Sequence, residues 1–81
     1  MQLRRAAVSV SANVAEGHGR SSRRDYARFV LIARGSLKEA ETLLLLSVRL
    51  GFMRNDIAEE LLSIAERINR LLTGLRKRLQ S

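Results

Sequence analysis

The sequence predicts an all-α fold, an antiparallel up-and-down helical bundle in one domain, and three observations carry that expectation. Fourteen Leu and nine Ala stand against five Val and four Ile, so the apolar residues are helix formers rather than strand formers. Proline is absent, which leaves only five glycines to interrupt a helix. Apolar residues also recur at steps of three and four along most of the 81 residues, the period of a helix with one buried face.

The first helix is expected over residues 2–16, with Leu3, Ala7, Val10 and Val14 on one face and Arg4, Arg5, Ser11 and Glu16 largely outside it. Gly17 should stop it, because glycine takes a left-handed cap at least cost. Residues 18–22 read as a polar loop. Ser22 followed three residues later by Asp25 has the form of a capping box that opens the second helix.

That second helix should run over residues 23–50, with Tyr26, Phe29, Ala33, Leu37, Ala40, Leu44 and Ser47 as its core stripe. Gly51 ends it. Asn55 or Asp56 starts a third helix over residues 56–79, with Glu59 placed to complete a box from Asp56. There Ile57, Leu61, Ile64, Ile68, Leu71, Leu75 and Leu79 form the most regular stripe in the chain. A short turn between two long helices makes an antiparallel hairpin, about 40 Å long at 1.5 Å per residue. Gly35 and Gly74 fall inside helices, where each costs about 1 kcal/mol relative to Ala, and close helix approach is the expected reason.

Leu31, Leu45 and Leu46 do not fit a simple hairpin, because they share the face opposite the core stripe with Arg24, Arg28, Lys38 and Arg49. Single surface leucines are common. Three in one sector point to an interaction surface, which makes them the candidate oligomer interface.

Several function classes are excluded by composition. Without Cys there are no disulfides, thiolate metal sites or thiol catalysis, and the lone His18 does not make a metal site. No cofactor is expected. Glu16 beside His18 has the chemistry of an acid–base pair, but no nucleophile or phosphate-cradling loop accompanies it, so no catalytic residue is expected. The longest apolar runs are far short of the roughly 18 residues that cross a bilayer. Without a signal-peptide pattern, the expected location is cytoplasmic, with no membrane partner. A chain of this size supplies only about 3–5 kcal/mol from one core, so packing between subunits is expected to contribute.

The formal charge is +7, and 13 of the 15 basic residues are Arg. Guanidinium grips phosphate in a bidentate fork, so this bias suits a nucleic-acid backbone. The cluster Arg20, Arg23, Arg24 and Arg28 is the densest, with Ser21, Ser22 and a helix N-terminus beside it. Lys38 and Arg49 extend it along the helix. Pairing of these cations with Glu16, Asp25 and a neighbour's acids is the alternative. Arg76, Lys77 and Arg78 complement a helix C-terminus and need no ligand. Arg70 after Glu66 is an ordinary surface pair. Asn13, Glu16 and Gly17 read as a structural corner between the first two helices.

Arg4 through Val10, then Asn13 to Gly17 and Gly19 to Ser21, followed by Phe29 to Ala33, Gly35 to Leu37, Glu39, Glu41 to Leu46, Gly51 and Leu72 to Leu75, resemble the 23S ribosomal RNA intervening-sequence proteins. That resemblance covers essentially the whole chain. It implies a four-helix bundle of which three helices are present, the additional N-terminal helix being absent, and a first helix straightened by Ser11 where the pattern often has proline. A ring-forming homo-oligomer, often a pentamer, without enzymatic activity and associated with RNA or DNA is implied too. A similar group, the accessory proteins of diversity-generating retroelements, implies the other reading: an adaptor docking on a protein partner such as a reverse transcriptase.

Overall fold

A computed structural model of the chain describes residues 2–20 and 22–80. It contains three helices, α1 (Gln2–His18), α2 (Arg23–Arg49) and α3 (Asn55–Gln80), and no strand among the described residues. Consecutive helices run antiparallel. Ser9 of α1 lies against Ser36 of α2, and Gly17 against Phe29, while Arg23 at the start of α2 meets Arg78 at the end of α3.

α1 is longer than its sequence suggests, and Gly17 is not its cap. Its backbone stays helical to His18, and among the described residues positive φ occurs only at Gly51. Gly17 is needed for another reason: a Cβ there would stand 2.8 Å from Phe29 Cβ and 2.9 Å from Tyr26 Cδ1. Here α1 and α2 approach too closely for any side chain. Gly35 and Gly74 correct the opposite expectation, because a Cβ at either would meet nothing within 4 Å. Neither marks a close approach within the chain.

The caps follow the sequence more closely. Ser22 Oγ accepts a hydrogen bond from the Asp25 backbone N–H at 3.0 Å, the N-cap half of the expected box. At the other end Leu50 is the C-cap and Gly51 adopts φ 78°. Gly51 N–H then donates to Val48 O and Phe52 N–H to Ser47 O, at 3.0 and 2.8 Å, the pair of bonds that defines a Schellman motif. No box forms between Asp56 and Glu59. Asp56 instead binds Arg54, through bonds of 3.1 and 2.6 Å, and accepts from the Ile57 N–H at 2.9 Å. Held by Arg54, its carboxyl lies below the ordinary value of 3.8.

α2 is the middle of an open layer. It packs on α1 along one side and on α3 along the other, whereas no Cα of α1 comes within 8 Å of one in α3. The molecule accordingly measures 44 × 22 × 13 Å, with a radius of gyration of 13.8 Å. A compact chain of this length has about 11.7 Å. Val30, Ala33, Leu37, Ala65 and Leu72 form the core, with Val30 fully buried. The stripe expected on α2 is thus confirmed through Ala33, Leu37, Ala40 and Leu44, with Tyr26, Phe29 and Ser47 half-buried.

α3 departs from expectation in which face it turns inward. Its buried residues are Ala58, Ala65 and Leu72, one position on from the regular stripe. Small side chains at Ala58 and Ala65 let α2 lie close. Of the stripe itself, Ile68, Leu75 and Leu79 pack half-buried against the core, and Leu61, Ile64 and Ile68 wall an apolar trough whose floor is α2 (Leu37, Ala40, Leu44) and whose other wall is α1 (Leu3, Ala7, Val10). Ile57, Leu61, Ile64 and Leu71 are consequently exposed, Leu71 to 73%.

Candidate nucleic-acid interface

The turn from α1 into α2 assembles most of the sequence's basic candidates, and Arg20, Arg23 and Arg28 each find a partner there. Arg20 Nη2 pairs with Glu16 Oε1 at 2.7 Å across the end of α1. Its guanidinium also lies 4.9 Å from the Phe29 ring centroid, and that of Arg28 lies 4.8 Å from the same ring. One half-buried phenylalanine therefore holds two exposed cations by its π face. Arg28 Nε comes within 3.9 Å of Asp25, a loose surface pair. Arg23 donates to the carbonyl of Arg78, closing the C-terminal turn of α3. This is a structural use of a residue the sequence offered as a phosphate ligand.

Arg24 differs from these. No described carboxylate pairs with it, and it lines a surface groove with Asp25, Arg28 and Leu31 of α2 and Arg76 and Leu79 of α3. Arg76 was expected only to complement its own helix dipole. The antiparallel return of α3 instead places it beside the start of α2, an outcome that hairpin geometry alone contains. Lys38 and Arg49 are exposed but line no part of this groove; Arg49 is beside Thr42, Leu45, Leu46 and Asn55, about 32 Å along α2 from Arg28 at 1.5 Å per residue. Ser21 is outside the described residues.

The corner residues divide. Glu16 and Gly17 act at the turn, through Arg20 and the close approach described above. Asn13 does not reach it. Its amide donates to Ser9 O and Ser9 Oγ at 2.8 and 3.0 Å, and Ser9 Oγ shares a 2.7 Å bond with Ser36 Oγ. This half-buried polar chain ties α1 to α2, and the sequence reading overlooked Ser9 and Ser36. His18 packs edge-to-face with Tyr26, with ring centroids 5.8 Å apart, so Glu16 and His18 each have another partner. Among the described residues no three acidic or His side chains gather as a metal site would need, and no helix is long and apolar enough to cross a membrane.

Leu31, Leu45 and Leu46 are exposed, at 48%, 56% and 48%. They do not join the apolar trough. Leu31 lines the arginine groove, and Leu45 and Leu46 lie near Arg49.

A strongly basic, single-layer array of three antiparallel helices with an arginine groove at one end is the class of protein these observations define. Residues 1–74 match the sequence model of the 23S rRNA-intervening sequence protein family, and the chain belongs to that family. No curated protein matches it.

Proposed function

We propose that this protein is a non-enzymatic, basic helical protein that binds the phosphate backbone of RNA, ribosomal RNA in the first place, through the groove of Arg24, Arg28 and Arg76. What supports the reading is that groove: three guanidiniums from two helices line it with a single carboxylate, Asp25. Phosphate oxygens are the ligand class that repeated guanidinium forks recognise. The family's name refers to 23S rRNA, which supports ribosomal RNA as the first target to try. Arg20 flanks the groove through Phe29, and Lys38 and Arg49 extend the basic surface along α2.

Base-specific readout is not part of this function. The chain has three aromatic residues, Tyr26, Phe29 and Phe52, and the two nearest the groove are half-buried. Binding should therefore be electrostatic and sequence-tolerant. Neutralising three phosphates of a single strand gives a slope of about −2 in log K against log salt. Fluorescence anisotropy with a ribosomal RNA fragment, titrated with salt, measures it. The triple variant Arg24→Ala, Arg28→Ala, Arg76→Ala should lose most of that slope. Absence of binding at low salt, or an unchanged slope in the variant, refutes the proposal. A protein captured equally well after nuclease treatment would favour the adaptor reading instead.

A further inference from the structure

We infer that Phe29 is a positioning residue for the backbone contact: its ring holds Arg20 and Arg28 as the two jaws of a clip for one phosphate, which brings Arg20 into the site as a ligand. The inference rests on the reading of the arginine groove as a phosphate site, and adds to it a residue that carries no charge.

Arg20 and Arg28 reach the ring from different parts of the chain, Arg20 from the turn after α1 and Arg28 from the second turn of α2. Their guanidinium carbons stand over it at 4.9 and 4.8 Å from its centroid. The two cations are thus at most about 10 Å apart, about one Debye length at 0.1 M salt, and they repel each other. The ring's quadrupole keeps them together against that repulsion. An anion seated between them is attracted by both.

A ring holds a guanidinium differently from a carboxylate. A carboxylate takes up N–H donors and cancels the charge, whereas a ring meets the flat face and leaves the donors at the edge free. Both arrangements occur in this chain. Arg54 gives Asp56 two hydrogen bonds, at 3.1 and 2.6 Å. Arg20 gives one to Glu16, and the 3.9 Å approach of Arg28 to Asp25 is too long for a hydrogen bond. Of the five donors on each guanidinium, most therefore remain for phosphate oxygens. The two side chains are 43% and 59% exposed, so a nucleic-acid backbone can reach them.

The ring is itself held in place. Phe29 is half-buried, and its Cβ lies against Gly17 where α1 and α2 come closest. Arg28 also lines the groove with Arg24 and Arg76, so the clip continues that groove across α2 toward α1. Ordering a free, rotamer-rich side chain on binding weakens affinity by a factor of about 2–12. Arginines already held on a ring avoid part of that loss.

Fluorescence anisotropy of the full chain with a ribosomal RNA fragment, repeated over a range of salt concentrations, tests the clip. Phe29→Leu keeps the Cβ and every charge but removes the π face. It should weaken binding about five- to tenfold at fixed salt and leave the slope of log K against log salt unchanged, because the slope counts phosphates neutralised and not how the cations are held. Phe29→Tyr restores a ring and should bind like the parent protein, as should Phe52→Leu at the exposed turn between α2 and α3. A purely structural role for Phe29 would lower the melting temperature and leave binding well below it unaltered. Should Phe29→Leu lose its helical circular dichroism, Arg20→Ala decides: weakened binding supports the clip, and parental affinity overturns it. Parental affinity in a folded Phe29→Leu, with the salt slope still lost in the triple variant of Arg24, Arg28 and Arg76, overturns the clip and leaves the groove reading standing. Absence of binding by the parent protein at low salt overturns both.

Discussion

Replacing Gly17 by Ala isolates the contact that fixes the α1–α2 angle. The added methyl would sit 2.8 Å from Phe29 Cβ, 2.9 Å from Tyr26 Cδ1 and 3.3 Å from the Tyr26 carbonyl oxygen. Carbon atoms pack without strain at about 3.5–4.0 Å, so the helices must part by most of an ångström. Neither a β-carbon nor a backbone carbonyl can swing aside as a side-chain tip would. Overpacking of this kind costs about 1–3 kcal/mol, and Ala returns about 1 kcal/mol of helix propensity. The expected net loss is about 0–2 kcal/mol. For a domain of this size, each kcal/mol lowers the melting temperature by about 4–8 °C. Gly35→Ala is the control, because nothing is within 4 Å of its added methyl and only the propensity gain of about 1 kcal/mol applies. Thermal unfolding followed by circular dichroism, at one chain concentration for all variants, measures both. If Gly17→Ala melts above the parent protein, or Gly35→Ala clearly below it, the account of these two glycines is wrong.

Two further outcomes follow from the caps. Ser22→Ala removes the oxygen that accepts the Asp25 N–H and should cost about 1 kcal/mol in urea unfolding, while Ser22→Gly should cost only a few tenths. Asp56 should titrate below 3.8 by carboxyl NMR, chiefly because of its bond to Arg54, and Arg54→Ala should return it toward that value. Since the folded value is the depressed one, the pair's contribution is present above the unfolded pKa and is lost as pH falls through the folded one.

The helices were legible because their signals are local. The core stripe of α2, the Ser22 cap and the Gly51 turn each depend on residues within a few positions of one another. What sequence reading missed is relational. The stripe on α3 states which face avoids water, but Ala58 and Ala65, unremarkable in a hydropathy pattern, decide which face α2 can approach. Gly17, Gly35 and Gly74 look alike in sequence, and only the separation between helix axes distinguishes the crowded one. Arg76 was assigned to its own helix because the partner groups, Arg24 and Arg28, are some fifty residues away in the chain and adjacent only after the hairpin closes.

The order of packing also sets how the chain reaches its fold. With no Cα of α1 within 8 Å of one in α3, each seam between helix backbones joins neighbours in sequence. No contact waits on the closure of a loop that encloses an intervening helix, so contact order is low and folding belongs to the fast, microsecond-to-millisecond range of helical proteins. The same arrangement makes opening stepwise. α1 can detach at the cost of one seam while the α2–α3 hairpin persists, and amide exchange in α1 should then be governed by that partial opening rather than by global unfolding.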